Sequence, residues 1–232
     1  MTDINNLEKA LGVTFVQPAL LEEALVHSSY INENPDNNVR NNERLEFIGD
    51  AVLGLIIAEK IYTEMPDLTE GQMTKARSTL VKGDTLARIA GEIGLGDYLF
   101  MGKGEEATGG RTKAPNLEGA MEAVIAAIYL DQGIYAAKVV VSNIFREEWQ
   151  KLVSQGVEED YKSMLQEITQ AKYQSVPMYK LIGEEGPDHD KKFTVDVSVK
   201  GKWYGTGEGK SKKAAETEAA KAALRAFGED FT

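Results

Sequence analysis

The sequence predicts a multidomain protein, an all-α first domain followed by a smaller α+β domain of order α-β-β-β-α. Three observations predict it. Apolar residues recur at helical spacing up to residue 152. The stretch KKFTVDVSV, 191–199, then alternates strictly, as a half-buried strand does. Charge also divides unevenly. Residues 1–158 carry 14 Lys and Arg against 24 Asp and Glu, whereas 159–232 carry 12 against 13, within a net charge of −11. The acidity belongs to the first part, so partners are judged part by part.

Helical spacing recurs in 16–30, 42–63, 70–95, 115–131 and 134–152, with Gly and Asn clusters between. MGKGEEATGGRTKAPN, 101–116, is rich in Gly and charge and reads as an exposed, mobile loop. SQGVEE, 154–159, lacks periodicity and reads as a linker. The expected division is therefore 1–153, a linker over 154–159, and 160–228. In the second part, 160–171 is helical and VPMYKLIG, 176–183, is a strand. Phe193, Val195, Val197 and Val199 share one face of the next strand. Lys200-Gly201 turns into a third strand with Trp203 and Tyr204, and Ala-rich 211–227 is the closing helix.

A chain of 232 residues without cysteine has no disulfide and no thiolate metal site. MTDINNLEKALG lacks the basic and apolar regions of a signal peptide. The longest apolar runs, such as AVLGLIIA at 51–58, are short for a bilayer. A cytoplasmic protein without a membrane partner is expected.

NNERLEFIGDAVLGL, 41–55, places Glu43, Glu46 and Asp50 within roughly a 60° arc of one helix. Leu45, Ile48, Val52, Leu55 and Ile56 are expected on the core side. Stacked like charges cost a helix about 0.2–0.5 kcal/mol per pair, so something must offset them. NLEGAMEAVIAAIYLD, 116–131, adds Glu118 and Glu122, the latter among Met121, Val124 and Ile125. A buried carboxylate needs a partner. Glu70 opens a further helix in LTEGQMTKARSTLV. Oxygen-only ligands suit a hard divalent cation, Mg²⁺ or Mn²⁺, and the only histidines, His27 and His189, are far apart. Such a cation suits phosphodiester hydrolysis. Simpler readings stand beside these. An acidic helix face is ordinarily solvated, Glu70 suits the positive end of a helix, and a core Arg would also satisfy Glu122. In 205–224, Lys210, Lys212 and Lys213 gather where a helix begins, either as a phosphate site or as a solvated basic end.

The strings NERLEFIGDAVLGL, EGQMTKARSTLV, MEAVIAAIYLDQG and HSSYINE closely resemble the ribonuclease III family over essentially the whole chain. GxGxSKKxAE and the αβββ pattern before it resemble its double-stranded-RNA-binding domain. The resemblance implies a metal-dependent endoribonuclease that cuts double-stranded RNA, leaves 5′-phosphate and 3′-hydroxyl ends, and processes structured precursors such as ribosomal RNA. It places the metal-binding Glu on Glu46 and the catalytic Asp on Asp50, with Glu122 as a further catalytic and metal-holding residue. Glu43, Glu70 and Glu118 are supporting acids. It implies RNA contacts at Gln166, Glu167, His189, Lys210, Lys212 and Lys213. It also implies a homodimer in which Phe47 enters a cavity of the second subunit, against a plain core position for that ring. His27 reads as a packed histidine near a helix end. Gly119 departs from the family, which usually has a metal-binding Asp there; either Glu118 or water is expected to compensate. The alternative is a double-stranded-RNA-binding regulator with weakened catalysis.

Overall fold

The structure, a computed structural model, describes residues 4–36, 39–156, 161–187 and 191–228. The chain divides into two compact units, Met1–Val157 and Glu158–Thr232. The first contains α1 (Ile4–Leu11), α2 (Pro18–Ala24), α3 (Ser28–Glu33), α4 (Glu43–Glu64), α5 (Glu70–Leu80), α6 (Gly83–Glu92), α7 (Lys103–Ala107), α8 (Ala114–Ile144) and α9 (Arg146–Gln155).

Several expected helices are divided by local hydrogen bonding. The 16–30 stretch breaks because Val26 forms a parallel bridge with Phe100. The Phe100 amide donates to Leu25 O at 2.9 Å, and the His27 amide to Phe100 O at 3.0 Å. The 70–95 stretch breaks at Val81 and Lys82. Its first half opens with a capping box, Thr69 and Gln72 satisfying each other's backbone amides. α8 runs through the expected gap at 132–133, with a kink at Gly133, φ 81°. Joined in this way it is long and apolar enough to cross a bilayer. Here, however, its residues from Leu117 to Ile128 are buried among the other helices, apart from Glu118.

The expectation of a mobile loop at 101–116 is corrected. This segment contains α7, a 3₁₀ turn at Gly110–Thr112 and the start of α8. Arg111 Nη1 donates to Gly96 O and Leu99 O at 2.8 and 2.9 Å. Lys113 Nζ and Asn116 Nδ2 both donate to Glu105, at 2.8 and 2.9 Å. Its charged residues are spent on closing the segment, which composition alone does not reveal. Likewise the expected linker begins inside α9, which extends to Gln155, and its residues 157–159 lie outside the described ones.

The core of this unit lies where α4 meets α8, with α2 and α6 also on α8. Leu53, Ile57 and Ile61 of α4 are fully buried, as are Met121, Val124, Ile125 and Ile128 of α8. Each such side chain contributes about 1.5–3 kcal/mol on burial. Leu45, Val52 and Ile56 face this core as expected. Leu55 does not. It is 57% exposed, because α4 buries an arc centred on Gly49, Val52, Leu53 and Ile56.

The second unit has α10 (Tyr161–Tyr173), an antiparallel sheet β1 (Met178–Glu185), β2 (Lys192–Val199), β3 (Lys202–Gly209) in that order, and α11 (Lys212–Ala226). Val195, Val197 and Val199 are buried and Phe193 partly so, on one face, as the alternation requires. Val199 pairs with Lys202 across a two-residue turn. Both turn residues are left-handed, Lys200 at φ 50° and Gly201 at φ 77°, the geometry that suits the twist of a hairpin. α11 lies directly on β3. A Cβ at Gly207 would stand 2.0 Å from Ala219 N, and one at Gly209 2.6 Å from Ala215 N. Glycine on the strand and alanine on the helix let the two backbones touch.

Candidate active site and RNA-contact surface

The carboxylates are brought together by a close helix crossing. A Cβ at Gly49 would lie 1.9 Å from the backbone carbonyl oxygen of Glu122, so α4 rests on the backbone of α8 at this point. Glu46 stands one turn before that contact on α4, and Asp50 one residue after it. Gly119 and Glu122 are the facing positions on α8. The Glu46 carboxylate lies against Gly119, where an added Cβ would be 2.7 Å from its Oε2 and 3.0 Å from its Cδ.

Glu122 is only 8% exposed. Burial pushes its carboxyl up to about 7, with help from the negative charges of Asp50, Glu118 and Glu46. Burial also raises the Glu46 carboxyl, and Glu43 and Glu118 add to this, while His27 opposes it. Asp50 and Glu43 are exposed. Among the described residues none of these acids has an ion pair with Lys or Arg. Nor does any group of three Asp, Glu or His side chains there close into a ready ligand set. The result is an open cluster of carboxylates with a buried member and, among the described residues, no Lys or Arg ion pair; its oxygen-only donors are the kind a hard divalent ion takes.

Glu118 and Glu70 are placed differently. The Glu118 carboxylate packs on Gly83, where a Cβ would be 2.3–2.5 Å from its oxygens and carbon. This is the first residue of α6, whose positive end favours a carboxylate. Glu70 opens α5, accepts from Thr74 Oγ1 at 3.1 Å and lines a depression with Tyr62, Met73 and Arg77. It is not among the charges that perturb Glu46 or Glu122.

Sequence reasoning missed two supports. Gly49 is one; a glycine inside an apolar helix, costing about 1 kcal/mol against Ala, is a signal of close packing. The other lies in HSSYINE. His27 Nδ1 caps α3, accepting from Ser29 N at 3.2 Å, and Ser29 Oγ accepts from Gly102 N at 3.0 Å. Glu33 accepts from the amides of Lys103 and Gly104 at 2.8 and 3.0 Å, which holds its carboxyl below the ordinary range. His27 is thus a packed histidine at a helix end, as expected, and its segment clamps the start of α7.

Phe47 is 80% exposed on α4, so it is not a core residue of its own unit. Tyr62 and Leu55, on the same helix, are also exposed. In the second unit, Ser211 caps α11 by accepting from Ala214 N at 3.1 Å. Lys210, Lys212 and Lys213 are exposed around that helix start. Gln166 and Glu167 are exposed on α10 and line a shallow concavity with Ser163 and Gln170. His189 lies outside the described residues.

Residues 17–148 match the family model described as ribonuclease-III-like, and residues 161–226 match the double-stranded RNA binding motif. The chain is 48% identical over 232 residues to a protein named Ribonuclease 3 from Dehalococcoides mccartyi, covering all of this chain and 98% of that relative. Ribonuclease 3 of Syntrophobacter fumaroxidans is 46% identical, over 97% of this chain and 94% of that one. A crystal structure of the ribonuclease III nuclease domain from Campylobacter jejuni superposes with a TM-score of 0.58 at 37% identity, over 64% of this chain and 97% of that domain. A second structure of that domain concerns flexibility in a region involved in its dimer formation.

Proposed function

The chain belongs to the ribonuclease III family, and we propose that Glu46, Asp50 and Glu122 carry its reaction by holding Mg²⁺, with Mn²⁺ as a substitute. The protein is an endoribonuclease that hydrolyses phosphodiester bonds of double-stranded RNA. The observation that carries the assignment is the uncompensated carboxylate cluster at the α4–α8 crossing, with Glu122 buried in it. Bound there, a divalent cation would supply positive charge to offset the charge that develops on the phosphate and the leaving oxygen. Asp50, exposed at the rim, orients water and the scissile phosphate. Glu122, whose carboxyl is pushed up to about 7 in the metal-free protein, would give up its proton on taking the cation. Products with 5′-phosphate and 3′-hydroxyl ends follow, and structured precursors such as ribosomal RNA are the substrates. The regulator alternative is not favoured beside relatives named Ribonuclease 3 that match along the whole chain.

The division 1–153, 154–159 and 160–228 gives one catalytic and one RNA-holding part. In the latter, Lys210, Lys212 and Lys213 meet phosphates, while Gln166 and Glu167 meet a minor groove and His189 another. Such contacts read duplex shape rather than sequence. The exposed Phe47 ring enters a second copy of the chain, so that a cytoplasmic homodimer offers one site to each RNA strand. Asp50→Asn keeps the side chain's shape and removes one charge. Cleavage under saturating RNA is expected to fall by about 10²–10³-fold, with duplex affinity retained. Normal cleavage would disprove the site assignment. Phe47→Ala is expected to sediment as a folded monomer, a loss of about 2 kcal/mol or more of association energy. An unchanged dimer would remove Phe47 from the interface.

A further inference from the structure

We infer that the imidazole Nε2 of His27 donates a hydrogen bond to a phosphate oxygen of the RNA beside the scissile bond. The capping geometry carries the inference. Ser29 N donates to His27 Nδ1 at 3.2 Å. Ser29 Oγ stands 2.7 Å from the same nitrogen and itself accepts from Gly102 N at 3.0 Å, so its own proton is left to donate to Nδ1. A ring nitrogen that accepts in this way carries no proton, which puts the proton of the imidazole on Nε2. Among the described residues this N–H has no acceptor, and the ring is only half-buried. Backbone bonds set it beside the acidic face. Val26 O accepts from Asn42 N at 2.8 Å, and Asn42 O accepts from Glu46 N at 2.9 Å, so His27 adjoins the first turn of α4. The ring is within electrostatic reach of Glu46 and Glu105, yet neither carboxylate accepts from it. Glu105 is held by Lys113 and Asn116, and Glu46 lies against Gly119. A donor left open in an acidic site is matched by an acceptor that the substrate brings, and beside the scissile bond those acceptors are phosphate oxygens. This rests on the reading of Glu46, Asp50 and Glu122 as the place of cleavage.

The test divides the two ring nitrogens between two variants of the full-length protein. His27→Asn keeps a capping oxygen for Ser29 N and has no donor at the Nε2 position. His27→Gln offers an amide nitrogen near that position and gives up the cap. Each is measured for cleavage of a synthetic RNA duplex with Mg²⁺, for metal-free Tm, and for Mn²⁺ binding by loss of the free-ion electron paramagnetic resonance signal. His27→Asn is expected to hold its Tm and its Mn²⁺ affinity and to lose about tenfold or more in kcat/KM, as for a lost hydrogen bond to a charged group. His27→Gln is expected to melt lower than His27→Asn and yet to cleave faster. Wild-type cleavage by His27→Asn would overturn the inference. So would a loss of Tm or Mn²⁺ affinity in His27→Asn that matched its loss of cleavage, or His27→Gln cleaving no faster than His27→Asn, since either would leave the ring a structural role alone. Normal cleavage by Asp50→Asn, measured beside them, would instead bring down the cleavage-site reading on which the inference rests.

Discussion

Each unit is closed by a helix lying on glycine, and the two contacts leave opposite charges at their edges. In the first, α4 touches α8 at Gly49, and the neighbouring positions are Glu46, Asp50, Gly119 and Glu122. Close approach forces carboxylates together and buries one of them. In the second, Gly205, Gly207 and Gly209 of β3 receive α11 through Ala215, Ala219 and Ala223. No charge enters that contact; the lysines stand at the open end of the helix. The same packing device thus gathers carboxylates whose repulsion opposes folding in one unit and leaves a neutral platform beside exposed lysines in the other. Such electrostatic strain has to be balanced by stability elsewhere, and here the balance is the apolar seam of α4 and α8.

The glycines test this most severely. Gly49→Ala places a Cβ where the Glu122 carbonyl stands, and Gly207→Ala places one on the backbone of α11. Neither neighbour is a flexible side-chain end. Each substitution is expected to cost about 3 kcal/mol or more, the upper range for overpacking, and only in its own unit. Hydrogen exchange by mass spectrometry on the full chain reads this directly. Gly49→Ala should deprotect α4 and α8, and Gly207→Ala should deprotect β3 and α11. Deprotection that spread equally through both units would mean that each glycine contact is not confined to its own compact unit.

The lysines give a smaller effect of a different kind. Lys212→Ala with Lys213→Ala removes two ammonium groups from the first turn of α11 while leaving its Ser211 cap in place. Duplex affinity should weaken alike for RNAs of different sequence, and the salt slope should fall by about one per lysine. Stability should hardly move, because both side chains are exposed. An unchanged salt slope would place the phosphate contact elsewhere. A large drop in Tm would show that the platform is less neutral than its packing suggests.

The two regions also differed in how far the sequence disclosed them. In the second unit the strict alternation of β2, the Lys200-Gly201 turn and the lysines at the helix start are all local patterns, and the structure has each where the residues indicate. In the first, the helices and the acidic residues were readable, but their boundaries and grouping were not. Val26 pairing with Phe100 divides the 16–30 stretch through a partner more than seventy residues away. The charged residues of 101–116 suggest solvent until Arg111, Lys113 and Asn116 are seen to satisfy Glu105, Glu106 and the carbonyls around them. Glu118 and Glu122 look equivalent at i and i+4, yet one packs on Gly83 and the other is buried over Gly49. A one-dimensional pattern gives the face of a helix, not what lies against it.

The smallest effect is the pH dependence of stability, and it isolates the strain of the acidic contact. In the metal-free protein the Glu122 carboxyl is pushed up to about 7 by burial and by Asp50, Glu118 and Glu46, and that of Glu46 is raised in the same sense. In the unfolded chain both ionise near 4.5. Below that value both states are protonated and this contribution to stability is fully present. As pH rises towards about 7, the unfolded chain releases protons that the folded one still holds, so stability falls, and it levels off once Glu122 ionises in the fold. Glu33 and Glu105, whose carboxyls are lowered, act with the opposite sign but only at or below the ordinary carboxylate range, outside this window. The Tm of metal-free protein is therefore expected to decline by a few degrees between about pH 5.5 and 7.5. Glu122→Gln should flatten most of that slope. Excess Mg²⁺ competes with the proton, so the stabilisation it gives should grow over the same interval. If Glu122→Gln kept the full slope, or if Mg²⁺ stabilised the protein equally at both ends, Glu122 would not be the residue that shares its charge with Asp50 and Glu46. The contact at Gly49 would then be as neutral as the one at Gly207.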